Sequence, residues 1–445
     1  MKQVSVIIST YTADVSGICS ALYELGGMVV IHDPSGCNST YNTHDEPRWY
    51  EQDSLVFISG LSEIDAIMGN DEKFIGDIVR AAKDLSPRFI ALVRSPIPMM
   101  IGTDFDAIRE IIERETGIPT FYFPTNGMHS YVQGVGMALA AVAEHMVETA
   151  SPSRGTMNLL GVTPLDFSIN GTLASMHAFF EKNGYDIIST FAMGSKPEEI
   201  ARAGEADINV VVSSAGLAAA KVLRERFGTP YVVGMPVKPF TDRLLACMEK
   251  TEKDRKNRIA YREEQEEGGQ TAPEQTGQIP VGQREQTGQI LAGQKEQNRQ
   301  ISVGQKEQTG SITDESAKKD GSGICLIGEA VVSQSLAYAI KLRYGSSVRV
   351  LCPLETEEKL LAPALCRSVD SEEEIRKLVR GAAGMIADPM YQPVCPEQTP
   401  FFPLPHEAFS GRIYRKQIPD LSDIGFLDAW MKQWFGEEAG DGTEL

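Results

Sequence analysis

Residues 28–48 read MVVIHDPSGCNSTYNTHDEPR, and the chain on either side is read outward from them. Met28–Ile31 is a short apolar run of strand type. His32, Asp33, Pro34, Ser35 and Gly36 form a turn, with Pro and Gly in turn-favoured places. Cys37 follows, and the polar run Asn38–Thr43 predicts the opening of a helix. A thiol at a helix N-terminus lies among unpaired backbone N–H groups and the positive end of the dipole. Both favour the thiolate, the form that binds metal. Without further context, a single cysteine after a glycine is ordinarily a buried thiol.

On the N-terminal side, Val4, Val6, Ile7 and Ile8 predict a first strand. Ile18, Ala21, Leu22 and Leu25 recur at i, i+3, i+4 and i+7, one face of a helix. On the C-terminal side, Phe74, Ile75, Ile78, Val79 and Ala82 mark the buried side of a helix over 71–83, and Phe89–Val93 is a buried parallel strand by type. A helix over 108–115, a strand over 120–123 and an apolar helix around 136–146 complete an α/β domain over residues 1–150. Ser151–Gly155 reads as a linker.

A second α/β domain spans 151–250, with strands predicted at 157–162, 208–212 and 231–234. Ser195-Lys196-Pro197-Glu198 reads as a capping box. Residues 251–322 differ in kind. A charged stretch leads into an 11-residue repeat, QTGQIPVGQRE, QTGQILAGQKE and QNRQISVGQKE. Gln, Gly and Glu cannot bury enough apolar area to offset ordering entropy, so this insert is expected to be disordered. The third domain, 323–445, has strands expected at 324–327, 348–351 and 384–387. It also has helices expected from Ser333 and over 372–380, and a last amphipathic helix over 423–435 carrying Trp430 and Trp434. Three strand–helix alternations predict three tandem Rossmann-like, doubly wound parallel sheets, with ligands at the carboxyl ends of strands.

With 61 acidic against 42 basic residues and a formal charge of −19, the chain is a poor fit to nucleic acid or an anionic membrane, which demand basic surface. No run approaches the roughly 18 apolar residues of a membrane span. The opening MKQVSVIIST lacks a secretory h-region and cleavage site, so a cytoplasmic location is expected. The cysteines at 19, 37, 247, 325, 352, 366 and 395 are odd in number and contain no C-x-x-C pair. That pattern argues against a disulfide framework, a one-chain zinc site or a cluster held by this chain alone. No G-x-G-x-x-G or G-x-x-x-x-G-K-[ST] occurs; Gln133-Gly134-Val135-Gly136 lies within an apolar helix.

The stretch HDPSGC, followed by THDEPRW and SGLSEIDAIMG with a helix behind it, resembles the nitrogenase component 1 superfamily over nearly the whole chain apart from the insert. That resemblance implies three Rossmann-like domains around a central cleft. It also implies a His-x-x-x-Gly-Cys turn (here His32, Gly36 and Cys37) that supplies a thiolate to an iron–sulfur cluster, of the [4Fe-4S] kind, shared between subunits. The implied partners are a homologous component 1 subunit and an ATP-dependent iron-protein-type reductase. Two further family cysteines are missing: the matching places hold Tyr11–Ala13 and the loop Arg94–Met100. One thiolate cannot hold four irons, so a partner chain or non-cysteine ligands are implied, Asp33 among them. His44 and Arg48, with His32, are candidates for groups around the cluster.

Nitrogenase holds its large metal cofactor with a cysteine after a second-domain strand and a histidine in a third-domain loop. Here the first place reads Val212-Ser213-Ser214, and His406, within TPFFPLPHEAFSG, falls near the second. His406 is thus the candidate for the reacting site, and nitrogen fixation is not expected. The resemblance implies an oxidoreductase subunit. A metallocofactor assembly scaffold is the first alternative and a metal-free binding protein the second.

Overall fold

The fourteen strands of a computed structural model, which describes residues 12–34, 46–148, 151–262, 323–362 and 366–435, fall into three sheets. The first contains β1 (Met28–His32), β2 (Leu55–Ile58), β3 (Ile90–Arg94) and β4 (Thr120–Phe123). The second contains β5 (Ser153–Leu160), β6 (Asp186–Thr190), β7 (Ala206–Val211), β8 (Tyr231–Val233) and β9 (Arg258–Ile259). The third contains β10 (Ile324–Ile327), β11 (Val348–Cys352), β12 (Arg367–Ser368), β13 (Gly384–Ala387) and β14 (Phe401–Pro403). Every pairing between these strands is parallel, so the strands are joined by crossover connections and not by hairpins.

The strand orders are β2-β1-β3-β4, β6-β5-β7-β8-β9 and β12-β11-β10-β13-β14. Each order reverses beside its first strand, which creates a crevice at the carboxyl ends of β1 and β3, of β5 and β7, and of β10 and β13. The two-residue period of a strand sorts its side chains between layers. Met28, Val30, Ile90 and Leu92 pack with Phe74, Ile78 and Phe105 on one face of the first sheet. Val29, Ile31, Ala91 and Val93 enter the larger core that continues into the other two sheets.

Four local readings change. Ser153–Gly155, expected as linker, is the exposed start of β5, which the hydroxyl of Thr156 folds back on by donating to the Ser153 carbonyl (2.5 Å). The helix expected from Ser333 begins a turn earlier, at Ala330, because the Glu329 side chain caps it. Residues 251–262, expected within the insert, finish the helix Thr241–Asp254 and form β9, with Tyr261 buried. Tyr261 and Ala260 enter the core, while Arg258 pairs with Asp254 (2.5 Å). At the proposed capping box only the rear half forms: Glu199 accepts from the Lys196 N–H (2.9 Å), whereas Ser195 Oγ accepts from the Thr190 N–H (2.8 Å). Trp430 of the last helix is buried as expected. The strand predicted at Val4–Ile8 and the repeats of the insert lie outside the described residues.

Candidate functional site

Two places at the sheet crevices carry chemistry. The first is the end of β1, where the turn toward Cys37 begins. His32, in register with Arg94 of β3, points to the Phe74 side of the sheet. It stacks on Phe74 with centroids 3.9 Å apart, and its Nδ1 lies 2.8 Å from Ser59 Oγ. Burial pushes its pKa down to about 4, so the imidazole is neutral at neutral pH. Asp33, next along, is 1% exposed, and neither carboxylate oxygen has a hydrogen-bond partner among the described residues. One strand over, at the end of β3, Ser95 is fully buried and its hydroxyl is likewise unpartnered. Gly36, Cys37 and His44 lie outside the described residues.

Arg48 is directed elsewhere. Its guanidinium donates to Glu46 (2.6 Å), Glu24 (2.7 Å) and the Ser20 carbonyl (2.8 Å), and reaches the Ala192 carbonyl at 3.4 Å. Burial works against its charge, but the Glu46 and Glu24 carboxylates outweigh burial and hold the pKa above its ordinary value. Cys19, on the first helix (Asp14–Leu22), is fully buried. Its thiol is pushed up by burial and by Glu46, as befits a core side chain.

The second place is a cavity of about 40 Å³ where the crevices of the second and third sheets meet, room for about three waters. Asp166 enters it from the segment after β5. Its carboxylate accepts from Tyr131 (2.5 Å), from Ser213 at the end of β7 (2.8 Å) and from Thr163 (3.2 Å). Burial, and then the Asp166 and Glu329 carboxylates, push the Tyr131 phenol well up, so it remains a proton donor. Glu329 follows β10 and accepts from the N–H groups of Ser214 (2.9 Å), Val331 (3.1 Å) and Val332 (2.9 Å). Burial and the neighbouring Asp166 raise its pKa against those donors. Asp388 follows β13 and accepts from the His406 and Met390 N–H groups (2.9 Å each) and from Ser410 (2.6 Å). Burial raises it as well.

His406 lines the same cavity, with Nε2 3.6 Å from Asp166, longer than a hydrogen bond. Both ring nitrogens are buried without partners. Phe409 holds the ring at a centroid distance of 4.6 Å. Cys352 is buried nearby, its thiol pushed up to about 12 by burial and by Glu329. Of the cleft residues the sequence singled out, His406 is here and Ser213 spends its hydroxyl on Asp166. Tyr131, Asp166, Glu329 and Asp388 were not singled out. The signal for the last two was a carboxylate directly after a buried strand, at a reversal of strand order. Asp166 and Tyr131 left no such mark.

Three parallel sheets of this kind, meeting at a cleft, define a tandem Rossmann-like α/β architecture. A solved structure described as nitrogenase Cp1 at pH 6.5 has the same fold, with a TM-score of 0.62 at 15% identity, covering 100% of this chain and 97% of that one. The family model for nitrogenase component 1 type oxidoreductases matches residues 24–276, and the chain belongs to that family. The nitrogenase molybdenum-iron protein alpha chain of Methanothermobacter marburgensis is 29% identical over 223 residues, 46% of this chain and 47% of that protein. The nitrogenase iron-molybdenum cofactor biosynthesis protein NifE of Clostridium pasteurianum is 26% identical over 245 residues, 50% of this chain and 51% of that one. The chain thus aligns with about half the length of the curated relatives it matches. Among the described residues no helix is long and apolar enough to cross a membrane.

Proposed function

We propose that this chain is the electron-accepting subunit of a nitrogenase-like oxidoreductase. An ATP-dependent iron-protein-type reductase passes electrons to an iron–sulfur cluster, of the [4Fe-4S] kind, bound by Cys37 and shared with a homologous component 1 subunit. The substrate is reduced in the central cleft. The observation that carries this reading is Asp33, an enclosed carboxylate with no hydrogen-bond partner among the described residues, four residues before Cys37. An uncompensated buried carboxylate is costly, and a cluster iron offers the missing partner. Cys37 and Asp33 are the residues of this chain that would hold the cluster, which supplies one-electron transfer when bound. Neutral His32 fits beside it as a hydrogen-bonding neighbour that adds no charge.

Further support comes from the elements around that turn. The Leu61 N–H donates to the Asp33 carbonyl (3.0 Å). The short helix that follows leaves Ile64, Ile67 and Met68 at 73%, 76% and 74% exposure. An apolar surface this open fits a face covered by a partner subunit or reductase. In the cleft, Tyr131 and His406 are the groups able to hold or move a proton at their Oη and ring nitrogens.

The cleft does not fit the large metal cofactor that nitrogenase carries there. The cysteine position is Ser213, already donating to Asp166, and the cavity has room for only about three waters. The similarity to NifE favours a second reading, an assembly scaffold, which keeps the cluster but predicts transfer of metal to an acceptor protein without turnover.

The test is iron and acid-labile sulfide content, with EPR after dithionite, on anaerobically purified protein. It is run alone and with any co-purifying homologous chain, beside Cys37→Ala. Iron present in the wild type and lost in the variant is the expected result. A folded protein without iron in either preparation overturns both redox readings.

A further inference from the structure

We infer that Ser95 is a positioning residue for the iron–sulfur cluster: its hydroxyl donates to the Asp33 carboxylate oxygen that iron leaves free. This deepens the proposed function and rests on it, since it takes Asp33 as a ligand. The inference starts from register. β1 and β3 are paired through His32 and Arg94, so the next residues, Asp33 and Ser95, stand side by side where the strand order reverses. Neighbours in register share a face of the sheet. Adjacent strands lie about 4.8 Å apart, a gap that rotation of a Ser and an Asp side chain can close. Asp33 is 1% exposed and Ser95 fully buried, and neither side chain has a hydrogen-bond partner among the described residues.

The second observation is that the Ser95 hydroxyl has no local task. Ser95 is the N-cap of the helix Pro96–Ile101, where a serine ordinarily accepts from the N–H of the second or third helical residue. The third is Pro98, which has no N–H, and no side-chain capping bond forms. The other donors at these strand ends are spent. Ser59 Oγ lies 2.8 Å from His32 Nδ1 and accepts from the Asp33 N–H (3.2 Å). Thr125 donates its hydroxyl to the Arg94 carbonyl (2.6 Å). Arg94 donates to the carbonyls of Thr125 (3.0 Å) and Pro124 (3.1 Å). Of the three hydroxyls, Ser95 is the one left for Asp33. An ionised carboxylate only accepts, through two oxygens, so iron on one leaves the other in need of a donor. A hydrogen bond there draws electron density away from the ligand and raises the reduction potential of the metal it holds.

The test compares Ser95→Ala and Ser95→Thr with the wild type, as full-length chain purified anaerobically with any co-purifying homologous chain. A redox titration followed by EPR gives the cluster potential. Ser95→Ala should shift the one-electron equilibrium about tenfold toward the oxidised form, a fall of about 59 mV, or lose the iron. Ser95→Thr, which keeps the hydroxyl, should restore the iron and most of the potential. A second measurement, thermal melting of the iron-free chain, needs no cluster. There Ser95→Ala should melt at or above the wild-type temperature, because the hydroxyl it removes has no partner to lose. A lower melting temperature would show a hydroxyl already bonded in the native fold and overturn the inference. Equal falls in potential for both variants would make side-chain size the cause and overturn it too. Unchanged iron and potential in Ser95→Ala, beside an iron-containing wild type, overturn the role of Ser95 and leave the redox reading standing. A wild type without iron overturns both.

Discussion

His32 is a neutral imidazole kept in an aromatic layer, and that makes it a pH-dependent contributor to stability. In the unfolded chain it takes up a proton near 6.5; in the fold burial delays this to about 4. Stability is therefore full above pH 6.5 and falls as the pH drops from there toward 4, because only the unfolded state gains the proton. The loss reaches at most about 3 kcal/mol. His32→Phe keeps a ring against Phe74 and removes the titration. Urea midpoints measured from pH 7 to pH 4 should decline less steeply for the variant than for the wild type. His177, also lowered by burial, leaves a residual slope in both. Equal slopes would mean that His32 is already solvated in the native state.

At the scale of elements, the glycines of Gln133-Gly134-Val135-Gly136 show how a motif-like string can serve packing. The helices Asp14–Leu22 and Tyr131–His145 cross so closely that a Cβ on Gly134 would lie 2.0 Å from the Asp14 carbonyl oxygen, and one on Gly17 2.4 Å from that of Tyr131. Gly136 faces ordinary contacts at 3.8 Å and beyond. Gly134→Ala should thus destabilise by about 1–3 kcal/mol, since backbone must move. Gly136→Ala should be neutral or stabilising by about 0.5–1 kcal/mol through helix propensity. Thermal melts of the two variants check the pair, and equal effects would refute the close crossing.

Strands and helices announce themselves by period, so the three-sheet fold could be read from apolar spacing. The end of β1 at His32 could be read the same way, while Gly36 and Cys37 lie outside the described residues. The cleft could be read only at His406, which the family resemblance supplied. Tyr131 and Asp166 come from different domains and meet only where those domains pack, and no local pattern encodes that meeting. Glu329 caps its own helix locally, but its hold on Ser214, in another domain, left no mark in the sequence.

At the scale of the molecule, the sheets are joined by buried polar groups as well as by apolar contact. Tyr131 to Asp166 ties the first sheet's layer to the second. The Ser214 N–H to Glu329 ties the second to the third, as does the Tyr261 hydroxyl donating to the Leu360 carbonyl (3.0 Å). The strongest of these joints is Arg48. It holds Glu46 and Glu24 on its own side and reaches the Ala192 carbonyl on the other, while Glu24 accepts from the Gly194 N–H (2.8 Å). Glu46 has no exposed side-chain area and Glu24 little, so removing the cation strands two carboxylates out of water. Breaking one side of such a buried pair costs about 3–5 kcal/mol, much more than the pair contributes over an apolar replacement. Arg48→Met should therefore lower stability by that amount. Adding Glu46→Gln should recover part of the loss, because the stranded charge and not the missing contact is the main penalty. A double-mutant cycle on denaturant midpoints measures this directly. If the two substitutions were simply additive, Arg48 would be acting through packing alone and not by neutralising the buried Glu46 carboxylate.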